Sequence, residues 1–192
     1  MIPDPEDPPD SPLPALAEWL PAEADPPLMT LATTDEQGRP DARTVLLSGW
    51  DERGLTFHTA RGSRKTAQLA ARPWATAVVV MPDLARQLVV SGPVEEVAPE
   101  EAAEAYHKRS RYLQLLAWLN TPQTAQQPLA ERTRRWAEFD RAHPAPAVAP
   151  SWIGHRVQFD RVVFWQGRED CPSIRVSYRR EAPGWSVERL PG

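Results

Sequence analysis

The chain has little cysteine, no excess of basic residues and no long apolar runs. Its 192 residues include one cysteine, Cys171, which excludes an internal disulfide and is compatible with a reducing compartment. The formal net charge of −4 argues against sequence-independent nucleic-acid binding, which needs a basic surface. No apolar run approaches a membrane span, and the N-terminus lacks the basic-then-apolar pattern of a signal peptide. We therefore expect a cytoplasmic protein with neither a nucleic-acid nor a membrane partner.

Several common cofactor and metal motifs are also missing. The sequence has no Gly-x-Gly-x-x-Gly, no Walker loop, no Cys/His pattern with metal-ligand spacing and no repeat period. A Rossmann domain, a P-loop domain and a zinc site are therefore not expected.

The segments that are present alternate short apolar runs with turn residues. Residues 1–10 are acidic and rich in proline, so we expect a disordered arm there, followed by a single domain over 11–192. The pattern indicates about eight strands, joined mainly by hairpins, and four or five short helices. It predicts a mainly β (α+β) fold, an antiparallel barrel with peripheral helices.

The sequence pattern also predicts the bounds of particular elements. We expect a hairpin whose strands are 43–48 and 55–59, and a long strand over 86–97 broken at Gly92-Pro93. A helix is expected over 126–141, and a single strand over 156–166.

One helix start has the chemistry of a phosphate site. Ser63 is placed as the N-cap of a helix that begins with Arg64 and Lys65. Free backbone N–H groups, the positive end of the helix dipole and two cations would then lie at one spot. A surface helix that happens to start with basic residues is the alternative.

The order of these and other motifs resembles the pyridoxamine 5′-phosphate oxidase family over residues 28–192. The motifs that carry the resemblance are Arg43-x-Val45-Leu46-Leu47, Phe57-His58-Thr59, Ser63-Arg64-Lys65, Arg86-Gln87, Phe164-Trp165-Gln166-Gly167 and Trp185 to Leu190. The resemblance implies a split-barrel homodimer that binds FMN at each subunit interface. It therefore implies an oxidoreductase.

The resemblance also assigns a cofactor role to particular residues. Arg43, Arg64 and Lys65 would hold the flavin phosphate, at the helix start that Ser63 caps, and Gln87 would reach the ring edge. The remaining expected cofactor residues are Val45, Leu46, Leu47, Ser48, His58, Thr59, Gln123, Thr124, Trp165 and Arg175. Trp165 and Arg175 would come from the partner subunit.

The substrate side departs from the family pattern. Family oxidases have a lysine where this chain has Ser48, and a Tyr-x-x-x-Arg-x-x-x-Ser pattern where it has Ala105, Arg109 and Leu113. Tyr106, one position away, could partly replace the missing tyrosine.

The family's late Arg-Leu-His-Asp-Arg motif reads Cys171-Pro172-Ser173-Ile174-Arg175 here, so only its last arginine is kept. A dianionic vitamin ester that loses several charge-assisted hydrogen bonds should bind orders of magnitude more weakly. We therefore expect a non-vitamin, aromatic or polycyclic substrate. The candidates to orient it or pass a proton are Ser48, His58, Arg109 and Ser173.

Several alternatives stay open on the sequence alone. The cofactor is FMN or the deazaflavin F420, whose acidic tail would favour a cation such as Arg61. Related split-barrel enzymes tailor natural products, so a role in polyketide or phenazine antibiotic biosynthesis is expected by resemblance. The rival functions are a genuine pyridoxine/pyridoxamine 5′-phosphate oxidase and a non-catalytic split barrel that stores or senses a flavin, haem or pyridoxal phosphate.

Overall fold

The computed structural model describes residues 8–20 and 27–192, so most of the predicted arm lies outside the described residues. The described chain forms two compact units. The sheet unit comprises residues 8–20, 27–57, 67–95 and 155–192, and the helical unit comprises 58–66 and 96–154.

The described residues form ten strands, six α-helices and one short 3-10 turn over Pro82–Leu84. The strands are β1 Leu28–Thr34, β2 Pro40–Leu46, β3 Gly49–Asp51, β4 Gly54–Ala60, β5 Trp74–Met81, β6 Arg86–Glu96, β7 Trp152–Gln158, β8 Arg161–Gln166, β9 Ile174–Glu181 and β10 Gly184–Leu190. The helices are α1 Leu13–Trp19, α2 Arg64–Ala71, α3 Pro99–His107, α4 Arg111–Leu119, α5 Pro122–Ala125 and α6 Leu129–Ala142.

The strands form one open sheet rather than a closed barrel. Its main path runs β10-β9-β8-β6-β5-β1-β2, while β7 pairs with β4 and β6, and β3 pairs with β4. The pairings along the main path are antiparallel. The predicted mainly β, antiparallel fold with peripheral helices is therefore confirmed.

The core of the sheet unit forms from alternate side chains of neighbouring strands. Leu31, Val79 and Leu88 are fully buried, and the burial alternates along β1, β5 and β6 as a half-buried sheet requires. Helix α1 adds its apolar stripe to this core. The Trp19 ring meets the Phe164 ring edge-on, with their centroids 5.1 Å apart.

The predicted hairpin of strands 43–48 and 55–59 is wrong in one respect. Strand β2 pairs with β1, and only the short β3 forms the hairpin with β4. The change of partner occurs at two adjacent residues: Leu47 N–H donates to the Pro27 carbonyl, and Ser48 N–H donates to the Thr56 carbonyl. The chain therefore leaves β1 and joins β4 without a turn that local sequence could reveal.

The predicted break at Gly92-Pro93 is also wrong, because β6 continues unbroken to Glu96. A Cβ at position 92 would overlap the Gln158 carbonyl oxygen, so the glycine marks a close backbone approach rather than a break. Strand 156–166 is in fact two strands, β7 and β8. The predicted helix over 126–141 starts at Leu129, after the separate α5.

Among the described residues, no helix combines the length and the apolar character that crossing a membrane would require.

Candidate cofactor and substrate site

Three predicted cofactor residues lie in one row across the sheet unit. Gln87 of β6 is paired with Trp165 of β8, and Trp165 is paired with Arg175 of β9. Directly opposed residues of antiparallel strands project to the same face, with Cβ atoms roughly 5 Å apart. The row therefore presents an amide, a flat aromatic ring and a guanidinium side by side.

Arg175 in this row has unused hydrogen-bonding capacity. Its side chain is half-buried, yet the buried Nε has no hydrogen-bond partner in the described part of the chain. A buried donor without a partner is costly, so such atoms often mark a place where a ligand acceptor belongs. Trp165, also half-buried, offers a ring face to a planar ligand.

The Arg43 guanidinium is held by a polar cage within the sheet unit. Its NH2 donates to the Asp41 carboxylate at 2.9 Å and to Gln68 Oε1 at 2.8 Å. Its NH1 donates to Thr33 Oγ1 at 2.6 Å and to the Leu31 carbonyl at 3.3 Å. The buried Gln68 also donates its amide to Asp41 at 3.0 Å. These bonds fix the orientation of Arg43 and leave Nε as its remaining donor to a ligand.

The sequence did not lead us to Asp41, Gln68 and Thr33. A signal was present for one of them, because Asp41 and Arg43 are two apart on β2 and so share a face. Gln68 and Thr33 are 25 and 10 residues from Arg43, and their contacts follow from the fold alone.

Helix α2 begins at Arg64, directly after Ser63 as predicted, and hydroxyl groups lie around Lys65. Lys65 Nζ donates to Thr59 Oγ1 at 2.9 Å, and Thr59 Oγ1 lies 3.4 Å from Ser63 Oγ. Ser63 Oγ in turn lies 3.0 Å from Thr66 Oγ1. Arg64 is exposed. The helix start therefore presents one oriented ammonium and one exposed guanidinium.

His58 and Arg109, two of the catalytic candidates, both contact Trp152 in the helical unit. The His58 ring is stacked on Trp152 at 5.1 Å and 7°, and the Arg109 guanidinium lies 5.9 Å from the Trp152 ring centroid. Burial lowers the pKa of Arg109 from its ordinary value. A Cβ at Gly154 would lie 2.8 Å from His58 Nε2, so this glycine leaves room for the histidine.

The expectation that Tyr106 could replace the missing family tyrosine is not supported. Tyr106 is fully buried and packs edge-on against Trp152 at 5.5 Å. Its hydroxyl donates to the Gln114 carbonyl at 3.3 Å, and burial raises its pKa. Tyr106 is therefore a core residue of the helical unit, and Arg109 is the charged group that remains from the family pattern.

The other two catalytic candidates lie in the sheet unit. Ser48 is half-buried at the point where β2 gives way to β3. Ser173 precedes β9, and a Cβ at Gly192 would overlap its hydroxyl oxygen. The backbone of Val45, Leu46 and Leu47 spans the end of β2, beside the Arg43 cage.

Gln123 and Thr124 lie on α5 in the helical unit. Thr121 caps this helix, since its Oγ1 accepts from Thr124 N at 3.1 Å. Gln123 is exposed and Thr124 is buried. Arg61, the cation expected to favour an acidic cofactor tail, instead forms an ion pair with Glu96, with contacts of 2.6 and 3.2 Å.

No cluster of His, Cys, Asp and Glu that could hold a metal ion occurs among the described residues. The sheet unit offers an aromatic ring face and guanidinium groups, and the helical unit offers an ammonium group with hydroxyls; these are the groups that anionic, heteroaromatic ligands use.

Comparison with known proteins identifies the family. Residues 14–143 match the family described as pyridoxamine 5′-phosphate oxidase, and residues 152–191 match the pyridoxine 5′-phosphate oxidase C-terminal dimerisation region. The chain belongs to the pyridoxamine 5′-phosphate oxidase family. It is a flavin-dependent oxidoreductase, and the match to the dimerisation region supports a homodimer.

A curated member of this family, the pyridoxine/pyridoxamine 5′-phosphate oxidase of Rubrobacter xylanophilus, is 40% identical over 169 residues, which is 86% of this chain and 77% of the relative.

Two solved structures confirm the split-barrel fold. PhzG from Burkholderia lata 383, in complex with tetrahydrophenazine-1-carboxylic acid, has a TM-score of 0.88 at 24% identity and covers 100% of this chain and 98% of its own. A pyridoxamine 5′-phosphate oxidase-related, FMN-binding protein from Nostoc punctiforme has a TM-score of 0.71 at 20% identity, covering 94% and 95%.

Proposed function

We propose that this chain is an FMN-dependent oxidoreductase that acts on a small, planar, non-vitamin substrate. The observation that carries the proposal is an asymmetry. Gln87, Trp165 and Arg175, which are expected on the cofactor side, are all present, and Trp165 and Arg175 are paired. Among the side chains expected to grip the vitamin phosphate and its ring, Arg109 is the one that remains.

The residues present fit a flavin phosphate and ring. Lys65, Arg64 and the remaining donor of Arg43 would hold the phosphate, and Arg175 Nε supplies an unused buried donor for the ring side. A bound flavin would supply hydride transfer, and these residues would bind it, orient it and exclude water. We expect each site to lie at the interface of the homodimer, with Trp165 and Arg175 given by the partner.

FMN is proposed over F420 because the residues give less support for binding the acidic tail of F420 than for binding a flavin phosphate. Arg61 is engaged by Glu96 in an exposed, two-contact ion pair, so a polyanionic tail would have to displace that carboxylate.

The substrate proposal rests on the residues that replace charged groups. Leu113, Cys171 and Ile174 stand where the family pattern has polar or charged groups, and Arg109 is the cation that remains. Each charge-assisted hydrogen bond that is removed costs roughly 1.5–3 kcal/mol. A pocket with one arginine and apolar walls favours a weakly charged aromatic or polycyclic compound. The corresponding biological role is a tailoring step in natural-product biosynthesis.

A second candidate, pyridoxine/pyridoxamine 5′-phosphate oxidation, is favoured by a different observation. A relative that carries this name is 40% identical over 86% of the chain. The retained Arg109 is the side chain that such an activity would depend on.

Two measurements test the proposal. Mass spectrometry of the ligand released from purified protein should find FMN; release of F420 would reject the cofactor assignment. Arg64→Ala with Lys65→Ala should abolish flavin retention and leave the circular dichroism unchanged, because these cations are exposed or half-buried.

Turnover distinguishes the candidate functions. In stopped-flow experiments, planar quinones or enones should oxidise the reduced enzyme. The oxidation of pyridoxine phosphate by the enzyme should be far slower than that reaction. The triple change Ser48→Lys, Cys171→Arg and Ser173→His should raise affinity for pyridoxal phosphate. Ordinary rates with pyridoxine phosphate in the unaltered protein would establish the vitamin oxidase instead, and no turnover with any acceptor would favour a flavin-binding module.

A further inference from the structure

A groove of about 350 Å³ lies between α4 and α6 in the helical unit. Helix α4 contributes Tyr112, Leu116 and Leu119 to its walls, and α6 contributes Leu129 and Trp136. The spacing of each set places its members on one helix face. Two apolar stripes therefore line the same hollow.

The apolar surface of this groove is unusually accessible. Tyr112 is 61% exposed and Leu129 is 73% exposed. The Tyr112 and Trp136 rings lie 5.5 Å apart between centroids, at 36°, and form an aromatic wall. Ligand pockets commonly enclose roughly 300–1,000 Å³ and combine apolar walls with a few polar groups. The groove meets both criteria.

The charge in this groove comes from Arg132. It precedes Trp136 by four positions and so lies within the apolar stripe of α6, where an amphipathic helix normally has an apolar side chain. Arg134 on the same helix is paired with Glu131 and Glu138. Arg132 has no ion-pair partner among residues 8–20 and 27–192. A cation without an acidic partner therefore lines an otherwise uncharged groove.

We propose that this groove binds a small aromatic carboxylate, separately from the flavin and its substrate. The ring of the ligand would pack on Trp136 and the leucines, and its carboxylate would meet the guanidinium fork of Arg132. A single cation favours a monoanion over a phosphate ester. Thr124, a candidate cofactor residue, also lines the groove, but its hydroxyl is engaged with Thr121 Oγ1 at 2.9 Å, the atom that caps α5.

The test uses 2-naphthoate as the probe and protein saturated with FMN. The protein is labelled with 5-fluorotryptophan, and the Trp136 signal is assigned with Trp136→Phe. Titration with 2-naphthoate should shift this fluorine resonance. Arg132→Gln should weaken the binding about tenfold, the factor expected for one charge-assisted contact, and the neutral 2-naphthylmethanol should bind comparably weakly.

Two variants serve as matched controls. Arg134→Gln changes a paired arginine of the same helix, and Arg109→Gln changes the proposed substrate residue; both should leave the Trp136 titration unchanged. The proposal is overturned if 2-naphthoate does not move the Trp136 signal, or if Arg132→Gln binds it equally well. It is also overturned if the signal shifts with protein concentration alone, because a second copy of the chain would then occupy the groove.

Discussion

At the scale of single residues, a neutral neighbour helps to position the ammonium of Lys65. Thr59 Oγ1 accepts from Lys65 Nζ at 2.9 Å and lies 3.4 Å from Ser63 Oγ. Thr59→Val keeps the shape and removes the acceptor, so Lys65 should lose its fixed orientation. We expect FMN affinity to fall about three- to tenfold, measured by fluorescence titration of the apoprotein.

Thr76→Val is the matched control for this change. Its hydroxyl lies 2.9 Å from Ser91 Oγ, so the substitution removes a hydrogen bond of similar kind from the sheet unit. It should lower the free energy of unfolding and leave FMN affinity unchanged. Equal FMN affinity in Thr59→Val would mean that the hydroxyl does not position Lys65.

Tyr178 is a buried residue whose hydroxyl makes no hydrogen bond in the described part of the chain. Its side chain is fully buried, its hydroxyl has no hydrogen-bond partner in the described part of the chain, and burial raises its pKa to about 12. The unfolded chain ionises this phenol near its ordinary pKa of about 10. The folded protein binds one proton more between those two values, so this residue contributes full stability below pH 10 and loses it as the pH rises toward 12.

Tyr178→Phe removes both the unpartnered hydroxyl and the ionisation. At pH 8 the variant should be as stable as the unaltered protein or up to about 1 kcal/mol more stable. By pH 11 the difference in the free energy of unfolding between the variant and the unaltered protein should grow by about 1 kcal/mol in favour of the variant. Urea unfolding at the two pH values measures this difference. A constant difference across that range would show that a partner or a water stabilises the hydroxyl.

At the scale of elements, the continuity of β6 depends on a residue without a side chain. A Cβ at Gly92 would overlap the carbonyl oxygen of Gln158, and a backbone group cannot move aside as a flexible side chain can. Gly92→Ala should therefore destabilise the fold by roughly 2 kcal/mol or more, in the range of overpacked positions. Urea midpoints would measure the loss.

Gly49→Ala in β3 is the corresponding control, because a Cβ there would make only ordinary contact with Thr56 Oγ1 at 3.7 Å. Its unfolding midpoint should change little. If Gly92→Ala were equally well tolerated, β6 and the Gln158 segment could separate without cost.

Elements bounded by local chemistry were predicted well, and those bounded by long-range contacts were not. Helix α2 starts directly after Ser63, as the cap predicted. The boundary between β7 and β8 was missed, because the stretch from Val157 to Phe164 contains no glycine or proline to mark a turn. The turn there is held by distant partners: Phe159 N–H donates to the Arg53 carbonyl, and Asp160 N–H donates to the Ser91 carbonyl.

The candidate site shows the same difference between residues that the sequence indicates and contacts that depend on the fold. The resemblance supplied Gln87, Trp165 and Arg175 as separate cofactor residues, but only the strand register shows that they form one row. The Arg43 cage and the stacking of His58 on Trp152 depend on contacts across the fold. Pattern and spacing could not indicate them.

At the scale of the whole molecule, cofactor binding and dimerisation should be thermodynamically linked. Residues 152–191 match the family's dimerisation region, and this range contains both Trp165 and Arg175. If those residues serve the partner's flavin, FMN binds the dimer more tightly than the monomer. Linkage is reciprocal, so FMN must then strengthen dimerisation by the same factor.

Sedimentation equilibrium with and without FMN tests this linkage. Saturating FMN should tighten the dimer dissociation constant at least tenfold, because a ligand at 100 times its dissociation constant adds about 2.7 kcal/mol to the state that binds it. Riboflavin, which lacks the phosphate that Lys65 and Arg64 would hold, should have a much smaller effect at the same concentration. Arg175→Met should weaken both FMN binding and the FMN-dependent gain in dimer affinity, since it removes the unused Nε donor and leaves an apolar side chain of similar length. If the dimer dissociation constant did not change with FMN, each subunit would hold its flavin with its own residues.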